Sequence, residues 1–150
     1  MSGETDLIKL YSQHILELAA DIPHLGHLDS PHGRARKRSP LCGSMVTVEL
    51  CLENGRISDF AQDVKACALG QAAASVVGRR AIGCRREEIE RARDQLAAML
   101  KRGGPAPDAP FDALEVLRPA RDFRNRHASI LLALEATLAA MEAAEESALP

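Results

Sequence analysis

Apolar and polar positions alternate most cleanly in one stretch of the chain. Val46, Val48, Leu50 and Leu52 take turns with Met45, Thr47, Glu49 and Cys51, the pattern of a half-buried strand. Asn54-Gly55 follows and supplies the positive φ angles of a tight hairpin turn. Ile57 to Val64 then reads as the returning strand, with a weaker alternation. Upstream, Leu7, Leu10, Tyr11, His14 and Leu18 fall at helical spacing. They predict a helix over Thr5 to Ala20, ended by Pro23, with His14 inside the packing stripe. Arg34, Arg36, Lys37 and Arg38 suit a short edge strand, where charge opposes edge-to-edge association. Downstream, Cys67 to Val77 is rich in Ala and predicts a tightly packed helix, with Gly78 and Gly83 bracketing its end. Arg85 to Arg102 predicts a second helix. Pro110 to Leu117 predicts a short one broken by Pro119, and Phe123 to Ala144 a closing one striped with Leu131, Leu134, Leu138 and Met141. Helix, a few antiparallel strands, then helices is an α+β order, and 150 residues suit a single domain over 1–150.

Composition narrows the class. Apolar residues make up 46 % and aromatics only 3 %, so the core is built from Ala, Leu, Val and Ile. A formal net charge of −2 gives no reason to expect nucleic acid, and no aromatics interleave with the basic run to stack bases. No apolar run reaches the length of a membrane span. The segment Met1 to Lys9 has two acids and no apolar stretch, unlike a secretory signal. The expected compartment is therefore the cytoplasm, where cysteines serve as thiols or ligands more often than as disulfides.

The candidate chemistry gathers at the open end of the hairpin. With a two-residue turn, Cys42 and Cys67 fall opposite each other, and a bulge that shifts the register by one still leaves them neighbours. Cys67 opens a helix. Two thiols so placed make half of a metal site. His127, near the start of the last helix, is the best remaining imidazole. Cys51 and Cys84 read as structural. His24, His27 and His32 sit in a segment broken by Gly and Pro, with no cysteine between them, and read as a polar loop. Neither a Gly-x-Ser-x-Gly nucleophile nor a phosphate-cradling glycine loop occurs, so an enzyme is not expected.

The cysteine contexts point further. Leu41-Cys42-Gly43-Ser44, the hairpin with its Asn-Gly turn, Lys65-Ala66-Cys67-Ala68 before a small-residue helix, and Phe123-Arg124-Asn125-Arg126-His127-Ala128-Ser129-Ile130-Leu131 together resemble the iron–sulfur cluster assembly scaffold family: IscU, SufU and the N-terminal domain of NifU. The resemblance runs over roughly residues 5 to 142. It implies a SufE/NifU-like α+β fold, a small antiparallel sheet of about three strands with helices on one side. It implies sulfur received from a cysteine desulfurase. A transient iron–sulfur cluster of the 2Fe-2S kind, or iron, is then handed to acceptor proteins by a monomer or homodimer, and zinc can take the same place.

The family's usual ligands are three cysteines plus an aspartate or histidine. Matched by motif, the first two cysteines are Cys42 and Cys67, and the family histidine is His127. Ser44 stands where an aspartate is expected. The third cysteine is replaced by Ala128 in the IscU-like register or by Ser129 in the SufU-like one. Cys42, Cys67 and His127 are therefore the candidate metal ligands. The alternatives are a protein that accepts sulfur as a persulfide, and a metal-free interaction module of the same fold.

Overall fold

The computed structural model describes residues 11–40 and 42–147. Leu7, Leu10 and Leu41 lie outside the described residues. The element order is α1 (Gln13–Ala20), β1 (Gly33–Arg38), β2 (Met45–Glu53), β3 (Arg56–Lys65), α2 (Ala68–Arg80), α3 (Arg86–Arg102), a 3-10 helix (Asp112–Asp122) and α4 (Arg124–Ser147). The three strands form one antiparallel sheet in the order β1-β2-β3. This is the α+β architecture expected, with helices against a small antiparallel sheet.

The β2 alternation sets the two faces. Val46, Val48 and Leu50 are fully buried and share their face with Gln62, Phe60 and Val64 across the β3 ladder. Helices α2 and α4 pack on this side: Gln62 Nε2 donates to the Ala74 carbonyl of α2 at 3.1 Å. The opposite face is more covered than alternation implies. Glu49, 7 % exposed, accepts from the Leu28 amide at 2.8 Å and pairs with His27 and Arg34. Burial pushes its carboxyl up, but the Leu28 N–H, the His27 ring and Arg34 outweigh it and hold Glu49 below the usual carboxylate range.

The turn is the one expected, Asn54 and Gly55 both having positive φ. A bulge between Cys51 and Leu52 then shifts the ladder by one, so that Leu52 faces Ile57 but Met45 faces Lys65. Both alternatives therefore hold, at different ends of one hairpin. At the edge, β1 is the charged strand foreseen.

Three expectations change. In α1 the residue in the core is Ile15, while His14 and Tyr11 are exposed. The helix turns its Ile15–Leu18 side inward, and Ile22 just past its end packs on the same core, so Leu18 keeps its place in the stripe while Ile15 takes that of His14. Helix α2 runs past Val77 to Arg80, so its end still falls between Gly78 and Gly83, and Gly78 lies within it, where a Cβ would stand 2.5 Å from Gln62 Nε2. Pro119 sits within the 3-10 helix instead of breaking it. Finally, α4 is apolar nearly all round rather than striped. It is long and apolar enough to cross a membrane by composition, yet 72 % of that window is buried inside the fold, as befits a central core helix.

Candidate functional site

The chain from β1 to β2 turns back over Ser39 to Ser44. The Ser39 amide donates to the Ser44 carbonyl at 2.8 Å, and the Gly43 amide to the Ser39 carbonyl at 3.0 Å. This closes a tight loop and leaves Cys42 exposed on it. Its sulfur lies 3.4 Å from Ser39 Oγ and 3.1 Å from Ser44 Oγ. The Ser39 hydroxyl, then the Ser44 hydroxyl, stabilise the thiolate; with the Ser44 N–H and Ser129 they outweigh partial desolvation and lower the Cys42 pKa to about 7.

Cys67 is the N-cap of α2, with an extended backbone and its carbonyl accepting the Gln71 amide at 2.9 Å. Its sulfur is 3.7 Å from Ser129 Oγ. Ser129, on α4 and buried, donates to Ser44 Oγ at 2.9 Å. The two cysteines are thus joined by two hydroxyls, Cys42–Ser44–Ser129–Cys67. The approach of α4 to α2 depends on Gly70, where a Cβ would stand 2.7 Å from Ser129 Oγ. Ser129, not Ala128, is the residue that meets Cys67. Ala128 faces a separate pocket with His127.

His127 is 5 % exposed, and its Nε2–H donates to the carbonyls of Ala120 at 2.9 Å and Arg121 at 3.1 Å. Carbonyls only accept, so Nε2 carries a proton and Nδ1 is the ring nitrogen turned away from them. His127 and Ser129 are two positions apart, about 200° around a helix, so the imidazole leaves α4 on the side away from the serine. Among the described residues no three His, Cys, Asp or Glu side chains gather as a metal-binding group.

The other candidates separate. His24 stacks edge-on against Phe60, His27 pairs with Glu49, and His32 Nδ1 accepts the Leu52 amide at 3.0 Å, so the polar loop holds three histidines with three different partners. Cys51 donates to the Ser30 carbonyl. Cys84 is buried among core residues, and burial, aided by Glu88, pushes its thiol up to about 11. A thiol reagent at pH 8 is therefore expected to modify Cys42 rapidly and Cys84 only after unfolding. The two are distinguished by peptide mapping of the time course, and comparable native rates at both positions would contradict this environment. Ser39 was not visible as a participant in the sequence. Its signal lies in the register: Arg38 pairs with Met45, which sets Ser39 across from Ser44.

The family model described as the NifU-like N terminal domain matches residues 10–128, most of the chain and both cysteines. The chain belongs to the NifU-like N-terminal domain family. Among solved structures, the N-terminal NifU-like protein from Brucella abortus is 42 % identical, with a TM-score of 0.91 over 94 % of this chain and 98 % of that one. An iron–sulfur cluster assembly scaffold protein, IscU of Thermotoga maritima, is 34 % identical over 80 residues. These are 53 % of this chain and 56 % of that protein, so the match spans little more than half of that relative's length. A putative scaffold protein of the SUF system from Fervidobacterium islandicum AW-1 shares the fold, with a TM-score of 0.79 at 19 % identity over 89 % of this chain and 98 % of that one. The resemblance to the iron–sulfur cluster assembly scaffold family is thereby borne out.

Proposed function

We propose that this chain works in iron–sulfur cluster assembly as a single-domain, non-catalytic scaffold. Its cargo is iron or a transient 2Fe-2S cluster held at Cys42 and Cys67, with zinc as an alternative occupant; His127, expected as a third ligand, leaves α4 on the other side and would reach that cargo only after the start of α4 turned. The observation that carries this reading is the Cys42–Ser44–Ser129–Cys67 bridge. It holds two thiols from distant parts of the chain at one rim, with hydroxyls at two positions where the family's ligand pattern would have an aspartate and a cysteine. Thiolates are soft donors suited to iron and to cluster sulfides. Cys42, exposed and ionising near neutral pH, needs little displacement of protons to bind metal. Hydroxyls in place of the other ligands make the hold weak, which suits cargo passed on rather than kept. The sulfur source in this reading is a cysteine desulfurase and the recipients are iron–sulfur acceptor proteins, met in the cytoplasm by a monomer or homodimer.

The test is iron and acid-labile sulfide content after purification without oxygen. Wild type is expected to carry iron and sulfide, and Cys42→Ala and Cys67→Ala each to lose both. Retention of cargo in either variant, with the fold intact by circular dichroism, would overturn the assignment. His127→Ala is expected to leave retention close to that of His14→Ala, because the His127 ring lies across α4 from the thiols; a selective loss of cargo in His127→Ala, with the fold intact, would make it a ligand.

One observation favours a second reading, sulfur carriage without metal: the low pKa and exposure of Cys42. The thiolate would attack the outer sulfur of a donor persulfide. The donor S–S bond breaks, the donor leaves as a thiolate, and Cys42 carries the persulfide. Mass spectrometry after incubation with a desulfurase and cysteine separates the two. A persulfide on Cys42 that persists in Cys67→Ala, with no iron in wild type, supports carriage over scaffolding.

A further inference from the structure

On the far side of α4 from the cysteines lies a cavity of about 770 Å³, bounded by the end of α3, the 3-10 helix and the start of α4. Leu100, Ala128 and Leu131 give it an apolar floor, and the buried His127 is part of its wall. Three cations line it from three elements: Lys101, Arg121 and Arg124. Two carboxylates, Asp122 and Glu135, line it too, so the lining carries one more positive group than negative. Among the described residues none of the three cations forms an ion pair, while Arg34, Arg79, Arg86, Arg93 and Arg118 all do. Burial raises the Glu135 carboxyl, opposed by Lys37, Arg93 and Lys101. Arg124 is the first residue of a 24-residue helix, whose positive dipole end therefore opens at the same place.

We propose that this cavity is a binding site for a small multivalent anion, a polycarboxylate or a phosphate compound, held by Lys101, Arg121 and Arg124 over the leucine floor. Two guanidinium forks match the paired oxygens of a carboxylate or phosphate, and the lysine adds a mobile point charge. The apolar floor gives the carbon body of such a ligand a place to lie. This site is separate from the cysteine pair and stands whether or not that pair carries metal.

Isothermal titration calorimetry of the 150-residue chain at constant ionic strength tests it, with citrate and pyrophosphate as probes. Saturable one-to-one binding of at least one probe is expected. Arg121→Ala and Arg124→Ala should each raise Kd about tenfold, the effect of losing a charge-assisted contact. Arg91→Ala, an exposed α3 residue outside the cavity, should change nothing, and Cys67→Ala should leave binding intact, which excludes chelation at the cysteine rim. Binding of citrate alone assigns a carboxylate ligand, and binding of pyrophosphate alone a phosphate one. Should one arginine variant fail to fold, the other still decides. Absence of saturable binding by both probes, or an equal loss in Arg91→Ala, overturns the proposal.

Discussion

Gly33→Val is expected to destabilise this fold more than any other single substitution on the sheet. Gly33 opens β1 and is buried, and α4 crosses directly over it. A Cβ built there would stand 2.6 Å from the Ala144 amide nitrogen and 2.8 Å from the Ala144 Cβ, and would also meet the Ala140 carbonyl. Two of those three neighbours are backbone atoms of a continuous helix, so no rotamer change relieves the contact. Overpacking of a well-filled core costs about 1–3 kcal/mol when side chains can shift. Here the whole helix must move, and the expected loss is about 3 kcal/mol or more, equivalent to about 6–12 °C in Tm for a chain of this size. Gly33→Ala should fall between wild type and Gly33→Val. Thermal unfolding followed by circular dichroism provides the check. A Tm for Gly33→Val within 2 °C of wild type would mean that α4 does not rest on β1 as described.

The second large effect is a gain. Ser129→Cys is expected to strengthen retention of an iron–sulfur cargo, and Ala128→Cys is not. Ser129 Oγ lies 3.7 Å from Cys67 Sγ and 2.9 Å from Ser44 Oγ, and Ser44 Oγ lies 3.1 Å from Cys42 Sγ, so a thiol at 129 joins the two already present. One at 128 enters the cavity shared with Lys101 and Arg121. Replacing a weakly donating hydroxyl with a soft thiolate should lengthen the lifetime of a reconstituted cluster by about tenfold or more, the scale on which small changes around a metal act. The decay of cluster absorbance under a chelator measures it. A longer lifetime in Ala128→Cys, with none in Ser129→Cys, would place the site on the other side of α4 and reinstate the IscU-like register.

Much of the fold could be read from residue patterns because it is carried by local signals. Alternation in β2, the Asn-Gly turn and the alanine-rich stretch after Cys67 each act over a few residues, and each element formed where expected. What the sequence concealed depended on contacts between distant segments. The bulge at Cys51–Leu52 leaves no mark in the alternation. Pro119 looks like a breaker, but the missing amide and fixed φ of proline did not prevent the 3-10 series from continuing through it. In α1 the choice between Ile15 and His14 as the inward residue rests on where α2 lies, and a helix whose described part has eight residues carries too few apolar positions to settle it. At the site, Cys42 and Cys67 could be paired through hairpin geometry alone. The part played by Ser129 could not, because it arrives from 62 residues beyond Cys67 and reaches its place only through the gap left at Gly70.

The central position of α4 has a consequence for the order of events during synthesis. Helix α4 is the last element among the described residues and the partner of β1, β2, α2 and α3. Until residues near Met141 have left the ribosome, the apolar face of the sheet and the inner sides of α2 and α3 are only partly covered. The earlier elements can form turns and hairpins as they emerge, but a finished core must wait for the end of this stretch. While this stretch is being made, part of its apolar surface therefore stays open, which is the condition in which unfinished chains aggregate or engage chaperones.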